Sequence, residues 1–159
     1  VEMKVDEEFF SYTKAIKTAL RQNPQWVLLS EARSAEVKYL LECFSTGLHG
    51  LTTLHTDDTR KIPDRIKNMM QDAYAASRLE NDIYSFLNVG VLLRKRISEN
   101  QEVTRCIDQI CLFDRVGEEN IIRMVVEDGK VVSREIPVNV KRKFEHQGIS
   151  APFESALKI

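Results

Sequence analysis

Apolar positions Phe9, Tyr12, Ile16 and Leu20 recur three to four residues apart, the spacing that stacks side chains on one helix face. Asp6 is available to cap that helix, and Asn23-Pro24 ends it, because proline disfavours helical geometry in the residue before it. The preceding Val1-Glu2-Met3-Lys4-Val5 alternates weakly and predicts a short strand. Trp26-Val27-Leu28-Leu29 is apolar throughout rather than alternating, the pattern of a strand buried on both faces in a parallel sheet. Ser34 starts a second helix carrying Val37, Leu40, Leu41 and Phe44, stopped near Thr46-Gly47. Leu51-Thr52-Thr53-Leu54-His55 is a second run of the buried type. Ile62, Ile66, Met69, Met70 and Ala73 predict a longer helix, whose Pro63 fits only in the first turn. Strand-like runs alternating with helices over residues 9–80 predict an α/β layer with parallel strands.

The pattern then changes. Val89–Ile97 predicts another strand, leaving the sheet at its cationic end, and 103–113, 120–127 and 130–136 read as an antiparallel meander. Glu127-Asp128-Gly129-Lys130 places Asp-Gly between β-branched runs, the strongest short hairpin signal in the chain. Residues 138–147 predict a terminal helix, with an extended tail beyond Gly148. The expected organisation is an α/β core over 1–100 and an antiparallel β-tail with the terminal helix over 101–159, both within one domain.

Composition narrows the function classes. A formal charge of -1, from 23 basic and 24 acidic side chains, gives no electrostatic reason to expect nucleic-acid or membrane-surface binding. The clusters Arg94-Lys95-Arg96 and Lys141-Arg142-Lys143 are expected to be solvated faces. Cys43, Cys106 and Cys111 are odd in number and lack the paired spacing of a zinc site, so reduced, partly buried thiols are expected. No apolar run reaches membrane-span length, and the first residues do not form a signal peptide. The chain opens on Val1 in what reads as mid-domain, as expected of a piece of a longer protein.

Two segments carry candidate chemistry. In Leu20-Arg21-Gln22-Asn23-Pro24-Gln25-Trp26-Val27-Leu28-Leu29-Ser30-Glu31-Ala32-Arg33, an apolar strand ends in an acid and a base at alternate positions. Open parallel sheets bind ligands beyond the carboxyl ends of their strands, where a carboxylate can orient a water for nucleotide hydrolysis or hold a magnesium-bound water. A glutamate and an arginine at a strand end can equally just pair with each other or cap the next helix. In Thr46-Gly47-Leu48-His49-Gly50-Leu51-Thr52-Thr53-Leu54-His55-Thr56, a second strand ends in a histidine able to sense or hydrogen-bond a terminal phosphate, with neighbouring threonines adding donors. That histidine can equally just bond a loop carbonyl.

Together the two segments resemble the Walker B and His boxes of the type II and type IV secretion ATPases, with the nearest resemblance to the tight-adherence pilus and conjugation-type secretion members. The family's Walker B pattern is LRQDP, an apolar strand, then GE-x-R-x-x-E; Leu20, Arg21, Gln22, Pro24, Glu31, Arg33 and Glu36 match it. The His box, TGH followed by an apolar run and TLHTN, is matched by Thr46, Gly47, Thr53, Leu54, His55 and Thr56. Asp64-Arg65-Ile66 resembles the signature of the following helix, and Phe144–Ile149 with Pro152-Phe153 resembles the tight-adherence pilus branch. Ser30 stands where the family has glycine, Leu48 where it has the TGH histidine, and Asp57-Asp58 where asparagine or serine is usual. No G-x-x-x-x-G-K-[ST] loop and no counterpart of the family's Asp box occurs in the sequence; in the family both precede the helix at 9–22.

The resemblance implies the C-terminal part of a RecA-like P-loop ATPase domain, cut downstream of the phosphate-binding loop. In the intact parent it implies a ring, expected to be hexameric, that hydrolyses ATP with Mg2+ to power secretion or pilus assembly. The catalytic group would be Glu31, His55 and Arg33, supported at the nucleotide or subunit interface by Arg21, Glu36, Thr46, Gly47, Thr53, Thr56 and Arg65. No residue would ligate metal directly, although Glu31 could hold a magnesium-bound water. Inner-membrane platform proteins are the expected partners, with the protein in the cytoplasm at the membrane periphery and no nucleic acid bound. The isolated chain is expected to bind no cofactor and to be inactive. The alternatives are a non-catalytic RecA-like interaction module and a nucleic-acid motor of the same fold.

Overall fold

In the computed structural model the described residues are 2–4, 6, 8–9, 11–34, 36–70 and 76–153, with backbone alone at 76–78. The chain divides into two compact units, Val1–His55 with Asp64–Asp82, and Thr56–Pro63 with Ile83–Ile159.

In the first unit, helix α1 (Tyr12–Leu20) begins three residues later than its apolar spacing suggests. Its cap is Ser11, whose side chain accepts from the Lys14 N–H at 3.4 Å, and not Asp6, whose carboxylate accepts from the Glu8 N–H in a turn that leaves Phe9 exposed. The strand expected at 1–5 does not form at Glu2, Met3 and Lys4; positions 1 and 5 lie outside the described residues. Ala15 and Ile16 of α1 pack towards helix α2 (Glu36–Ser45), which buries Val37, Leu40, Leu41 and Cys43. Strands β1 (Trp26–Leu29) and β2 (His49–Thr52) pair in parallel, Trp26 opposite His49 and Leu29 opposite Thr52. Gly50 is required by its close approach to α2: a Cβ there would overlap the Phe44 ring and lie 2.9 Å from the Val27 carbonyl.

The expectation that β1 is buried on both faces fails. Trp26 and Leu28 are 60% and 71% exposed, and Leu51 beside them 63%. A parallel strand reads as continuously apolar because both faces are meant to be covered. Among the described residues of this unit, α2 is the helix that packs most on the pair, and it lies on one face.

In the second unit, a four-stranded antiparallel sheet runs β3 (Val89–Ile97), β4 (Val103–Val116), β5 (Glu119–Glu127) and β6 (Lys130–Val131). β3 is laddered to β4 from Val89 to Ile97, so it belongs to the antiparallel sheet and not to the parallel pair. The Asp128-Gly129 signal is realised: both residues have positive φ, +50° and +73°, as a two-residue type I′ turn requires. β6 is far shorter than the 130–136 expected. The Val132 N–H still donates in register to the Val125 carbonyl at 2.9 Å, but the Ser133 N–H turns to that same oxygen, which breaks the ladder, and Pro137 has no N–H to resume it.

One face of this sheet is covered by a 3-10 turn (Thr59–Lys61) and the start of helix α3 (Ile62–Met69). Buried Thr59 donates its N–H and its hydroxyl to Gln109 Oε1, at 2.9 and 3.1 Å. Helix α4 (Ala76–Phe86), which the apolar spacing does not announce, buries Leu79 and Ile83, and the Tyr84 ring meets Phe113 edge-on at 6.0 Å. Helix α5 (Val138–His146) packs on β4. The residue before it, Pro137, has no side chain able to cap; Asp114 of β4 takes that role and accepts the Asn139 N–H at 2.9 Å. The expected extension of α3 through Ala73 lies partly outside the described residues, as does the tail after Phe153.

All three cysteines are free, with Cys43 and Cys111 buried, and burial pushes the Cys111 thiol up to about 11. Lys141 and Arg142 are exposed, in keeping with a solvated face, whereas the Lys143 ammonium donates to Asn88 Oδ1 at 3.2 Å and burial there lowers its pKa. Arg94 and Arg96 are more than that: both reach the buried Asp108 carboxylate, at 2.7 and 3.6 Å.

Candidate functional site

The parallel register of β1 and β2 continues past their ends. The Ala32 N–H donates to the Thr53 carbonyl at 2.8 Å, and the Thr53 hydroxyl donates to the Ser30 carbonyl at 2.6 Å. These two bonds stitch the residues flanking Glu31 to the segment that leads to His55. Glu31 thereby meets both partners: the Arg33 guanidinium at 2.5 Å on one carboxylate oxygen, and His55 Nε2 at 3.2 Å on the other. The acid and the imidazole, distant in sequence, are thus neighbours beyond the carboxyl ends of adjacent parallel strands, the position at which open parallel sheets bind ligands.

The cluster is open to solvent. The His55 side chain is 89% exposed and Arg33 75%, while Glu31 is 23% exposed. The Arg33 hydrogen bond, reinforced by the charges of Arg33 and His55 against a smaller opposing effect of burial, holds the Glu31 carboxyl below the usual carboxylate range. Glu31 in turn raises the Arg33 pKa, with the Glu36 carboxylate adding favourable charge and the Tyr12 phenol close by. In the sequence Tyr12 is only an apolar helix position, and nothing in its spacing marks it as a neighbour of the cluster.

Glu36 braces the loop from which Glu31 and Arg33 project. It is buried, and its Oε1 accepts the Arg33 N–H at 2.5 Å and the Ser34 N–H at 2.8 Å, satisfying donors at the start of α2. Arg33 therefore has its backbone tied to Glu36 and its guanidinium to Glu31.

The other residues of the two boxes are dispersed. Arg21 is the C-cap of α1, before the amino end of β1, and does not join the groups that touch Glu31. Thr46 donates its hydroxyl to the Cys43 carbonyl at 2.7 Å, and Gly47, at φ +88°, ends α2; both serve as a helix stop at the amino end of β2. His49 lies against Trp26, ring centroids 5.2 Å apart, at that same end. The Thr56 hydroxyl donates to the Asp58 carbonyl at 3.0 Å, and Asp58 caps the 3-10 turn through the Arg60 N–H. Arg65 is exposed on α3. Among the described residues no group of three or more His, Cys, Asp or Glu side chains is placed to hold a metal ion.

A family model described as "Type II/IV secretion system protein" matches residues 2–141. An uncharacterized protein of Bacillus anthracis is 30% identical over 109 residues, covering 62% of this chain and 25% of the relative. An uncharacterized protein of Methanocaldococcus jannaschii is 27% identical over 143 residues, covering 76% of this chain and 52% of the relative. The chain thus spans between a quarter and about half the length of these relatives. Two solved structures share its fold: the ATPase DotB of Legionella pneumophila (TM-score 0.58, 22% identity, 65% of this chain and 28% of that one) and the ATPase DotB of Yersinia pseudotuberculosis (TM-score 0.59, 14% identity, 69% and 29%).

Proposed function

Because the chain belongs to the type II/IV secretion system protein family, we propose that it is the acid- and histidine-bearing portion of a longer ATPase that powers secretion or pilus assembly. The observation that carries this assignment is the Glu31 carboxylate shared between Arg33 and His55, brought from adjacent parallel strands to one sheet end.

The cluster has the donor set for the terminal phosphate of ATP and the attacking water. Glu31, ionised and held by two donors, is the group to orient water. His55 and Arg33 present an imidazole N–H and a guanidinium, both suited to phosphate oxygens. A phosphate that draws Arg33 away from Glu31 removes the main cause of the lowered pKa, so the carboxylate becomes a better proton acceptor as the site fills. Glu31 is the residue of this cluster that could hold a water bound to Mg2+, which with the nucleotide would supply charge neutralisation at the phosphates.

The phosphate-binding loop is supplied from outside these 159 residues, where no G-x-x-x-x-G-K-[ST] occurs. In the whole protein the ring is a homohexamer at the cytoplasmic face of the membrane, docked on inner-membrane platform proteins, and the tight-adherence pilus branch is the favoured system. Titrating ATP–Mg2+ into the isolated chain is expected to give no saturable binding at millimolar nucleotide, while the longer protein binds and hydrolyses it. Hydrolysis by the chain alone at the longer protein's rate would overturn the assignment.

A further inference from the structure

The second unit carries a groove that the nucleotide reading does not use. β6 pairs with Val126 and Glu127, Val132 adds one bond to the Val125 carbonyl, and the chain then leaves the ladder at Ser133. Residues 119–124 of β5 are therefore without a strand neighbour on that side among the described residues. Alternate residues of such an edge turn their N–H and C=O groups outward, a template for an added strand. The chain returns as residues 134–138 and enters α5, leaving between the two a cavity of about 590 Å³.

Its chemistry is one-sided. Apolar surface comes from Ile121, Ile136 and the exposed Val116 and Val138. The charged lining is Arg123, Arg134 and Lys141 against a single carboxylate, Glu135. Glu135 pairs with Arg123, 3.2 Å away, and Lys141 reaches only Glu145, at 3.9 Å. Arg134 has no ion-pair partner among the described residues. The lining thus holds two positive charges in excess beside an apolar floor and an open backbone edge.

We propose that this groove docks an extended, acidic segment of a partner protein, which adds as a strand to the open edge of β5. Backbone hydrogen bonds along the edge give affinity, as in other strand additions. Every second side chain of the segment, a carboxylate, faces the groove and meets Arg134 and Lys141, while the alternate apolar side chains turn to the opposite face of the sheet, the side of Ile122 and Met124. A small free anion would use the cations but not the edge.

The test uses the whole chain and a fluorescein-labelled octapeptide of alternating valine and glutamate, read by fluorescence anisotropy. Saturable binding is expected, absent for the valine–lysine counterpart. R134E/K141E should weaken it by about tenfold or more, since two charge-assisted contacts are lost. Both positions are on the surface, and circular dichroism verifies that the variant is folded. On the unaltered chain, N-methylation of the peptide amides that face β5 should abolish binding, which no purely electrostatic contact would show. The proposal is overturned if the valine–glutamate peptide does not bind, if the lysine peptide binds equally, or if the double variant binds unchanged. It is overturned as well if the N-methylated peptide still binds, or if inorganic phosphate at millimolar concentration displaces the peptide, which would make the groove a small-anion site.

Discussion

Replacing Glu36 by alanine removes the acceptor that holds two backbone donors at once. Glu36 Oε1 takes the Arg33 N–H at 2.5 Å and the Ser34 N–H at 2.8 Å, and the residue is only 8% exposed. Hydrogen bonds to a charged acceptor contribute about 1.5–3 kcal/mol each, and water can reach the freed N–H groups because Arg33 and Ser34 are exposed. The two bonds share one oxygen and are not additive, so E36A should cost about 2–4 kcal/mol. E36Q keeps an oxygen in place and loses only the charge assistance, for about 1 kcal/mol. Urea denaturation at constant m value measures both. Hydrogen exchange locates the effect: the Arg33 and Ser34 amides should be protected in the wild type and in E36Q and should lose protection in E36A. E36A within about 0.5 kcal/mol of wild type, the range of an ordinary surface substitution, would refute the role of this carboxylate in holding the loop.

Two further outcomes follow from the second unit. Asp58 is held at about 2 by the Arg60 guanidinium, below its usual 3.8, so its stabilising effect is present above about pH 4 and is lost as pH falls towards 2. D58N should therefore be less stable than wild type by about 1–2 kcal/mol at pH 6, with the gap closing by about pH 2; a gap independent of pH would contradict the assignment. At Gly90 a Cβ would lie 2.7 Å from Ile62 Cδ1, 2.9 Å from the Phe113 ring and 3.0 Å from Cys111 Sγ. G90A should cost about 1–3 kcal/mol by thermal or urea unfolding, and the cost should shrink in an I62V background, which removes the nearest atom. Equal cost in both backgrounds would place the strain elsewhere.

Legibility in the sequence follows how local each determinant is. The Asp128-Gly129 turn is read from two residues because both must adopt positive φ, which few residue types tolerate. α2 is read from Val37, Leu40 and Leu41, whose spacing is the helix repeat itself. Pairing is not local. Val89–Ile97 looks the same whether its neighbour is parallel or antiparallel, and only its ladder to β4 decides. The length of β6 depends on which carbonyl the Ser133 N–H finds.

At the candidate site, Glu31, Arg33 and His55 stand out in the sequence by their strand-end positions and by the paired boxes, and the structure brings these three together. Arg21, Thr46 and Gly47 share the motifs, but a motif spans both ends of a strand. Those residues sit at the amino end, where they terminate helices. Glu36 belongs to the Walker B pattern by its spacing, yet only the folded loop reveals that it grips backbone. The exposed face of Trp26, Leu28 and Leu51 records the converse: an all-apolar run reports the environment a strand requires, and in these residues that environment is half present.

The most direct test of the account is single-turnover hydrolysis of ATP by the longer protein proposed to contain this chain, with Glu31 replaced by glutamine. Loss of a positioned group of this kind costs roughly 3–4 kcal/mol in barrier height, so hydrolysis should fall by about 10²–10³ while ATP binds within about threefold of wild type. Turnover near the wild-type rate would remove Glu31, and with it the shared acid and imidazole, from the chemistry.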